Sequence, residues 1–297
     1  MKLPEPGAGE TEDQSTSLAA VNRDLPRRKL LILTLIFFTA LGVRLLNWQS
    51  HHNEALAVQT SVALNYKHQA RLIETNGVAS LGDRLSITNN PDLLGHPLGY
   101  PILLSFINRF APESDATTQL LQMILDSLSA VIIVLIALEF FPFAVGIITG
   151  LMAAFAPQFS WNSLTLLPDS LATLPILLAM LIICRTCRRS NVADRFSLLS
   201  VLAAGALIGI SVWLRANALL LAPFLACLFF FVCKRGARLR PALILVCGVL
   251  LIISPLTIRN AIVFGKFVPV SLGAGQTLIE GIADYNTDGS LGLPQTD

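Results

Sequence analysis

The sequence predicts an all-α, polytopic membrane protein of about seven transmembrane helices, with a large polar loop after the first. Three observations carry this reading. Hydrophobic residues make up 54% of the chain and charged residues only 13%, against roughly 45–50% and about 25% in a soluble domain. Seven apolar stretches, at about 30–48, 119–138, 143–160, 168–184, 198–214, 217–233 and 241–257, approach the ~20 residues that a bilayer core requires. The third is the polar stretch 49–119 set between the first span and the other six. Loops held by a rigid scaffold carry function disproportionately.

The elements follow in order. Residues 1–28 form a polar N-terminal segment. The first apolar run, 30–46, lacks a small-residue cleavage site, so it reads as a retained span rather than a cleaved signal. Arg44 lies within it, near enough the outer end to snorkel. In the loop, 63–77 places Leu64, Ala70, Leu72 and Ile73 on a surface helix that Gly77 ends. Gly95-His96-Pro97-Leu98-Gly99-Tyr100-Pro101 then packs turn-forming, ring-bearing and titratable residues together. The apolar stretch 100–110 is too short to span and reads as an interfacial helix. No internal repeat is visible, which disfavours an inverted-repeat transporter.

Basic residues set the orientation. With the N-terminus inside, the inner segments hold thirteen Lys and Arg and the longer outer segments hold seven. The inner clusters are Lys2 with Arg23–Lys29, then 185–195, then 234–240. The positive-inside rule therefore puts the N-terminus in the cytoplasm and the long loop outside, in a multi-pass protein of the cell (inner) membrane. A net charge of +2 gives no case for nucleic acid. The five cysteines fall in or at the ends of apolar spans, and Cys184-Arg185-Thr186-Cys187 lacks the second pair or histidine that would complete a metal site, so they read as small apolar filler.

On this topology most residues capable of chemistry gather outside. Asp169, after Pro168, opens the fourth span; it fits both a helix cap and a site carboxylate. Asp126, two turns into the second span, reads first as a buried hydrogen-bonding acid held by Ser127, Ser129 or a neighbouring helix, since intramembrane acids are expensive. Arg215, where the fifth span emerges, fits a phosphate clamp or a snorkelling side chain, and Arg259 after the seventh invites the same pair of readings. His96 and Tyr100 fit a tight turn that steers the chain into the interfacial helix, with Tyr100 an interface anchor; a metal site would want more ligands close by. His51, His52 and His68 match no zinc spacing. Glu54, just past the first span, is the best-placed general base, although a solvated carboxylate is the commoner fate.

Four pieces in order resemble one family. Asn65-Tyr66 through Ala70, Leu72 and Gly77 resembles a tyrosine-helix-glycine stretch of a first outer loop. Residues 95–101 resemble a His-Pro-Pro-(Gly/Leu)-Tyr-Pro motif, with Leu98 replacing the second proline. Leu167-Pro168-Asp169 resembles the acid motif between the third and fourth spans. Pro255-Leu256-Thr257-Ile258-Arg259-Asn260, continuing to Gly265-Lys266-Phe267-Val268-Pro269, resembles a Pro-Trp-x-Ile-Arg-Asn segment with its Phe-Val-Pro continuation. Together they resemble the GT-C membrane glycosyltransferases, in the protein O-mannosyltransferase and aminoarabinose-transferase branch, over a transmembrane domain at 29–281.

The resemblance implies transfer of a sugar from a polyprenyl-phosphate donor to a lipid, glycan or protein acceptor on the outer face. It implies Glu54 and Asp169 as catalytic carboxylates and Tyr66, His96, Tyr100, Arg215 and Arg259 as substrate-binding residues; it assigns no metal ligands and leaves room for a divalent metal. One departure stands out. The family's Asp-Glu pair falls about four residues before the tyrosine, where this chain has Val62 and Ala63. Either Glu54 serves from a shifted position, or another base is used, or the chain is inactive. The alternative function is therefore a non-catalytic membrane protein that binds or transports a lipid carrier. The polar tail 282–297 stops where such enzymes continue with further spans, so the chain is expected to be an N-terminal fragment.

Overall fold

The computed structural model describes residues 10–58, 60–77, 96–111, 114–188, 195–233, 238–271 and 273, with the backbone alone at 10–26, 195 and 196. The tail 282–297, Gly95, Arg84 and the first nine residues lie outside the described residues. The elements are helices: α1 (Glu10–Ala57), α2 (Thr60–Asn76), α3 (Gly99–Asn108), α4 (Asp115–Ala137), α5 (Phe143–Phe155), α6 (Pro157–Asn162), α7 (Asp169–Arg188), α8 (Arg195–Leu214), a 3-10 turn (Ala216–Leu220), α9 (Leu221–Val232) and α10 (Leu239–Phe264). No strand occurs among the described residues. The protein is an all-α polytopic membrane protein.

Among the described residues, five stretches are long and apolar enough to cross a bilayer: Arg27–Ala57, Asp115–Ala137, Asp169–Arg188, Ser197–Leu214 and Leu239–Phe264. The other two apolar stretches form shorter helices, Phe143–Phe155 and Ala216–Val232. The first is cut short by sequence. Ala156 is extended (φ −62°, ψ 116°) because proline at 157 disfavours a helical residue before it. Pro157 then starts α6, where a missing N–H costs nothing. The first helix also outruns its apolar stretch. His51, His52 and Asn53 end the hydrophobicity but not the helix, so Glu54 sits on a helical extension ending at Ala57.

Packing sorts the helices into two linked groups. One core joins Ile36 and Ala40 of α1 to Ala130 and Val134 of α4 and Ala153 and Ala154 of α5. The larger core joins α7, α8, α9 and α10 around Ala179, Ile208, Leu245 and Val249. Here α8 and α10 approach closely through small residues. A Cβ at Gly205 would strike the Leu245 carbonyl, and one at Gly248 the Leu202 carbonyl.

Hydrogen bonds define the two ends of the bundle. At one end the start of α4 meets the 164–170 segment, Asp169 meets the end of α8, and Trp213 Nε1 donates to the Ile252 carbonyl at 2.8 Å. Trp48 near the end of α1 joins them, donating to Gln119 Oε1 at 2.8 Å. At the opposite end Arg185 Nε lies 3.0 Å from Glu139 Oε1, and Arg188 also reaches Glu139. Both arginines sit in the last turn of α7, where a cation complements the helix dipole.

Arg44 departs from the sequence expectation. It does not snorkel; it has no exposed surface, and its Nε and Nη2 both lie 2.6 Å from Asp126 Oδ2. Asp126 thus finds its partner on a neighbouring helix, as one expectation had it. A charge at this depth is held by pairing because the alternative is an unsolvated ion.

Candidate functional site

The site forms where α2, α3, α7 and α8 meet. Asp169 occupies the first turn of α7, and its side chain turns to Arg215 rather than to a backbone N–H. Arg215 is extended (φ −140°, ψ 115°), which stops α8 and throws the guanidinium sideways. Its Nε donates to Asp169 Oδ1 at 2.8 Å and Nη2 lies 2.5 Å from the same oxygen. The arginine side chain is 44% exposed and the aspartate 27%. A pair so open to water adds only about 0–1 kcal/mol of stability. Its significance is the placement of a cation and a carboxylate side by side.

Tyr66 completes this corner. The turn sequence ends α2 with Gly77 in the left-handed region (φ 75°), as expected from the sequence, and the helix buries Tyr66, Gln69, Ala70 and Ile73. Burial, with the Asp169 carboxylate adding to it and the Arg215 guanidinium opposing, raises the Tyr66 phenol to about 12. Tyr66 is therefore a neutral hydroxyl beside an ion pair. Its ring stands 5.1 Å from both the His96 and Tyr100 rings, edge-on to the latter at 80°.

The 96–100 turn is fixed from two sides. A Cβ at Gly99 would run into the Trp213 carbonyl, so glycine lets α3 begin against the end of α8. Tyr100, fully buried, donates its hydroxyl proton to Gln122 Oε1 at 2.9 Å. Burial keeps that phenol protonated as well. Gln122 Nε2 in turn donates to the Thr165 carbonyl at 2.8 Å and lies 3.3 Å from Ser170 Oγ. One amide thereby ties the tyrosine of the turn to the segment that delivers Asp169.

Tyr66, His96, Tyr100, Asp169 and Arg215 are thus brought together. Arg259 belongs to the neighbouring helix. It lies seven residues past Ile252 on α10, so it shares the face that packs on α8, about 10 Å further along the axis. Its Nη1 donates to Asn260 Oδ1 at 2.8 Å and the guanidinium sits 5.7 Å from the Phe264 ring centre. Glu54 is exposed beside the buried Ala55, and no hydrogen bond or ion pair joins it to the other site residues among those described. Val62 packs against the Tyr66 cluster, so that position supplies contact rather than a carboxylate. Among the described residues no group of three His, Cys, Asp or Glu side chains converges as a metal site would require.

Sequence reasoning missed Gln119 and Gln122. A signal was present: Thr118, Gln119, Gln122, Asp126 and Ser129 form a polar stripe at helical spacing inside an apolar stretch, and all five are buried. Gln119 Nε2 donates to the Leu164 carbonyl at 2.7 Å, next to the Gln122 contacts.

Comparison with known proteins gives one match. The family model described as dolichyl-phosphate-mannose-protein mannosyltransferase covers residues 95–258, more than half of the chain. That stretch contains His96, Tyr100, Asp126, Asp169 and Arg215. No curated protein and no solved structure matches the chain.

Proposed function

The chain belongs to the dolichyl-phosphate-mannose-protein mannosyltransferase family and is a membrane glycosyltransferase of the GT-C type, and from this we propose that it transfers a sugar from a polyprenyl-phosphate donor at the bundle end bearing Asp169 and Arg215. The observation that carries this reading is the Asp169–Arg215 pair beside the buried Tyr66. Displacement at an anomeric carbon makes a phosphate anion on one face and releases an acceptor proton on the other. A cation and a carboxylate in one pocket serve those two needs.

In the proposed reaction the acceptor oxygen bonds to the anomeric carbon as the carbon–oxygen bond to phosphate breaks. Arg215, joined by Arg259 from α10, takes the leaving phosphate. The acceptor proton passes to a carboxylate, Asp169 or Glu54. Tyr66 and Tyr100, both protonated, act as donors or walls toward the sugar. The acceptor is a lipid, glycan or protein hydroxyl or amine. The site faces away from the cytoplasm, with the N-terminus inside.

Two experiments test this. In a transfer assay with polyprenyl-phosphate-linked mannose or amino-pentose, Asp169→Asn abolishes product while the protein remains folded; near-normal transfer by both Asp169→Asn and Glu54→Gln would place the base elsewhere. In a cysteine-free background, single cysteines at Ser80 and Ser190 test orientation. Labelling from outside at 80 and not at 190 is expected, and the reverse overturns the topology. The apolar Val62 and Ala63 favour a second reading, a non-catalytic binder of the lipid carrier. That reading gains if the protein binds the donor but forms no product under any condition.

A further inference from the structure

Residues 163–168 join α6 to α7, and all of them are buried although none is helical. Such a segment has carbonyls without helical partners, and burial makes each one costly to leave unpaired. Among the described residues no backbone N–H donates to the carbonyls of Leu164, Thr165 or Leu167. The donors come instead from side chains of α4. Gln119 Nε2 donates to the Leu164 carbonyl at 2.7 Å. Gln122 Nε2 donates to the Thr165 carbonyl at 2.8 Å and lies 3.4 Å from the Leu167 carbonyl and 3.3 Å from Ser170 Oγ. Asp169 stands between Leu167 and Ser170. Gln122 therefore holds the chain on both sides of that carboxylate, whereas Gln119 holds it only at Leu164.

The orientation of this amide is set from its other end. A side-chain amide offers N–H donors at its nitrogen and an acceptor at its oxygen. Tyr100 donates its hydroxyl proton to Gln122 Oε1 at 2.9 Å, and neither side chain has exposed surface. That bond decides which end of the amide faces the segment: nitrogen, and not oxygen, meets the three acceptors. With its proton committed to the amide, the Tyr100 hydroxyl leaves only its ring as a wall toward the sugar.

Arg215 has its own support. It ends α8, its N–H donates to the Ser211 carbonyl at 2.8 Å, and Ser211 Oγ donates to the Ala172 carbonyl at 2.8 Å. Loss of the Gln122 amide thus leaves the guanidinium anchored and releases the segment that carries the carboxylate. A displacement of about 1 Å at a reacting group can cost on the order of 100-fold in rate.

We infer that Gln122, oriented by the Tyr100 hydroxyl, is a positioning residue that sets where the Asp169 carboxylate stands beside Arg215, and this rests on the reading of Asp169 as the group that receives the acceptor proton. Gln122 itself touches no reacting atom. It acts on the proton-accepting side of the reaction and not on the grip of the phosphate, so its loss slows turnover without weakening donor binding.

Two measurements on the full chain test this. Hydrogen exchange in phosphatidylcholine nanodiscs reads the segment without any substrate. Gln122→Met keeps the length of the side chain and loses both ends of the amide; it should raise exchange at 163–172 by about tenfold or more while α8 and α10 stay within about twofold of the parent. Kinetics in native membranes, with polyprenyl-phosphate-linked mannose or amino-pentose, reads the polyprenyl phosphate set free. Gln122→Met should lower kcat by about tenfold or more at a donor KM within about twofold. Tyr100→Phe leaves the nitrogen in place but lets the amide turn, so kcat should fall by a smaller factor, again at constant KM; a raised donor KM would put that hydroxyl on the sugar and overturn its role here. Asp126→Asn, one turn further along α4, should lower the melting temperature and leave kcat within about twofold. The inference is overturned if exchange at 163–172 stays at the parent level, if it rises equally in α8 and α10, if kcat holds in Gln122→Met, or if Asp126→Asn lowers kcat as much. Should Gln122→Met fail to fold, Gln122→Asn, one methylene shorter, withdraws the amide and is judged by the same outcomes. A parent that frees no polyprenyl phosphate from either donor refutes the proposed function instead, and exchange then decides the inference alone.

Discussion

Replacing Asp126 with alanine leaves Arg44 charged and fully buried between α1, α4 and α5. In the intact protein the guanidinium meets Asp126 Oδ2 through two nitrogens at 2.6 Å, while Nη1 donates to the Ala40 carbonyl at 2.9 Å and lies 3.4 Å from the Ala154 carbonyl. The two carbonyls remain in the variant but carry no net charge. Breaking a buried pair by deleting one partner costs about 3–5 kcal/mol, a large part of the ~5–15 kcal/mol that holds a typical domain. Deleting both charges, as Arg44→Met with Asp126→Leu, removes the uncompensated ion. What remains lost is mainly the donor to Ala154 near the broken end of α5, about 0.5–1.5 kcal/mol. The double variant should therefore recover most of the stability. Denaturation followed by tryptophan fluorescence, in one detergent for all variants, measures this directly. Asp169→Asn provides the contrast. Its pair is open to water, so the substitution should cost at most about 1 kcal/mol while removing transfer. A loss below ~1 kcal/mol in Asp126→Ala, or a double variant no more stable than the single one, would refute the assignment of Arg44 and Asp126 as a buried pair.

Two further outcomes are expected. Burial pushes the Tyr66 phenol up to about 12, above the 10.0 of an ordinary tyrosine, so the folded state keeps a proton that the unfolded chain releases. Stability is therefore full below pH 10 and falls by about 3 kcal/mol between pH 10 and 12. Tyr66→Phe should remove that loss, and an inflection near 10 in the phenolate absorbance difference between parent and variant would contradict it. Gly99→Ala forces a Cβ against the Trp213 carbonyl, whereas Gly146→Ala meets first the end of the Leu138 side chain, which can turn aside. The Gly99 variant should lose about 1–3 kcal/mol more; equal melting temperatures would show that α3 has room to shift.

The apolar stretches read from the sequence correspond to helices because hydrophobicity over span length is a local property. Their ends are less legible for the same reason. Residues 51–54 are polar, which closes an apolar window, yet none of them breaks a helix, and α1 continues to Ala57. Pro157 is a breaker, but within an apolar run it does not lower hydropathy enough to divide 143–160 into α5 and α6. Arg44 and Asp126 illustrate the harder limit. The sequence places Asp126 against Ser127, Ser129 or some neighbouring helix and Arg44 at the surface, but it does not name the partner, because the pairing joins residues 82 positions apart. The motif around Arg259 shows the reverse case. Asn260 Nδ2 donates to the Val268 and Val270 carbonyls at 3.0 and 2.8 Å, and Thr257 Oγ1 to the Pro269 carbonyl at 2.8 Å. The spacing from Thr257 to Pro269 is thus explained by a chain folding back on its own helix, after Gly265 at φ 65° turns it.

The polar stripe of α4 gives these pieces a common frame. Gln119 holds Trp48 of α1 and the Leu164 carbonyl; Gln122 holds Tyr100 of the turn and the Thr165 carbonyl; Asp126 holds Arg44. Three successive turns of one helix therefore fix the first helix, the 96–100 turn and the segment leading to Asp169. Buried amides suit this task because each offers a donor and an acceptor at once without bringing a charge into the apolar interior. The charged groups that chemistry requires, Asp169 and Arg215, are left at the end of the bundle where water and substrate can reach them. Because these supports converge on one helix, a change at Gln122 acts on Tyr100 and on the approach to Asp169 together, although it touches neither member of the Asp169–Arg215 pair.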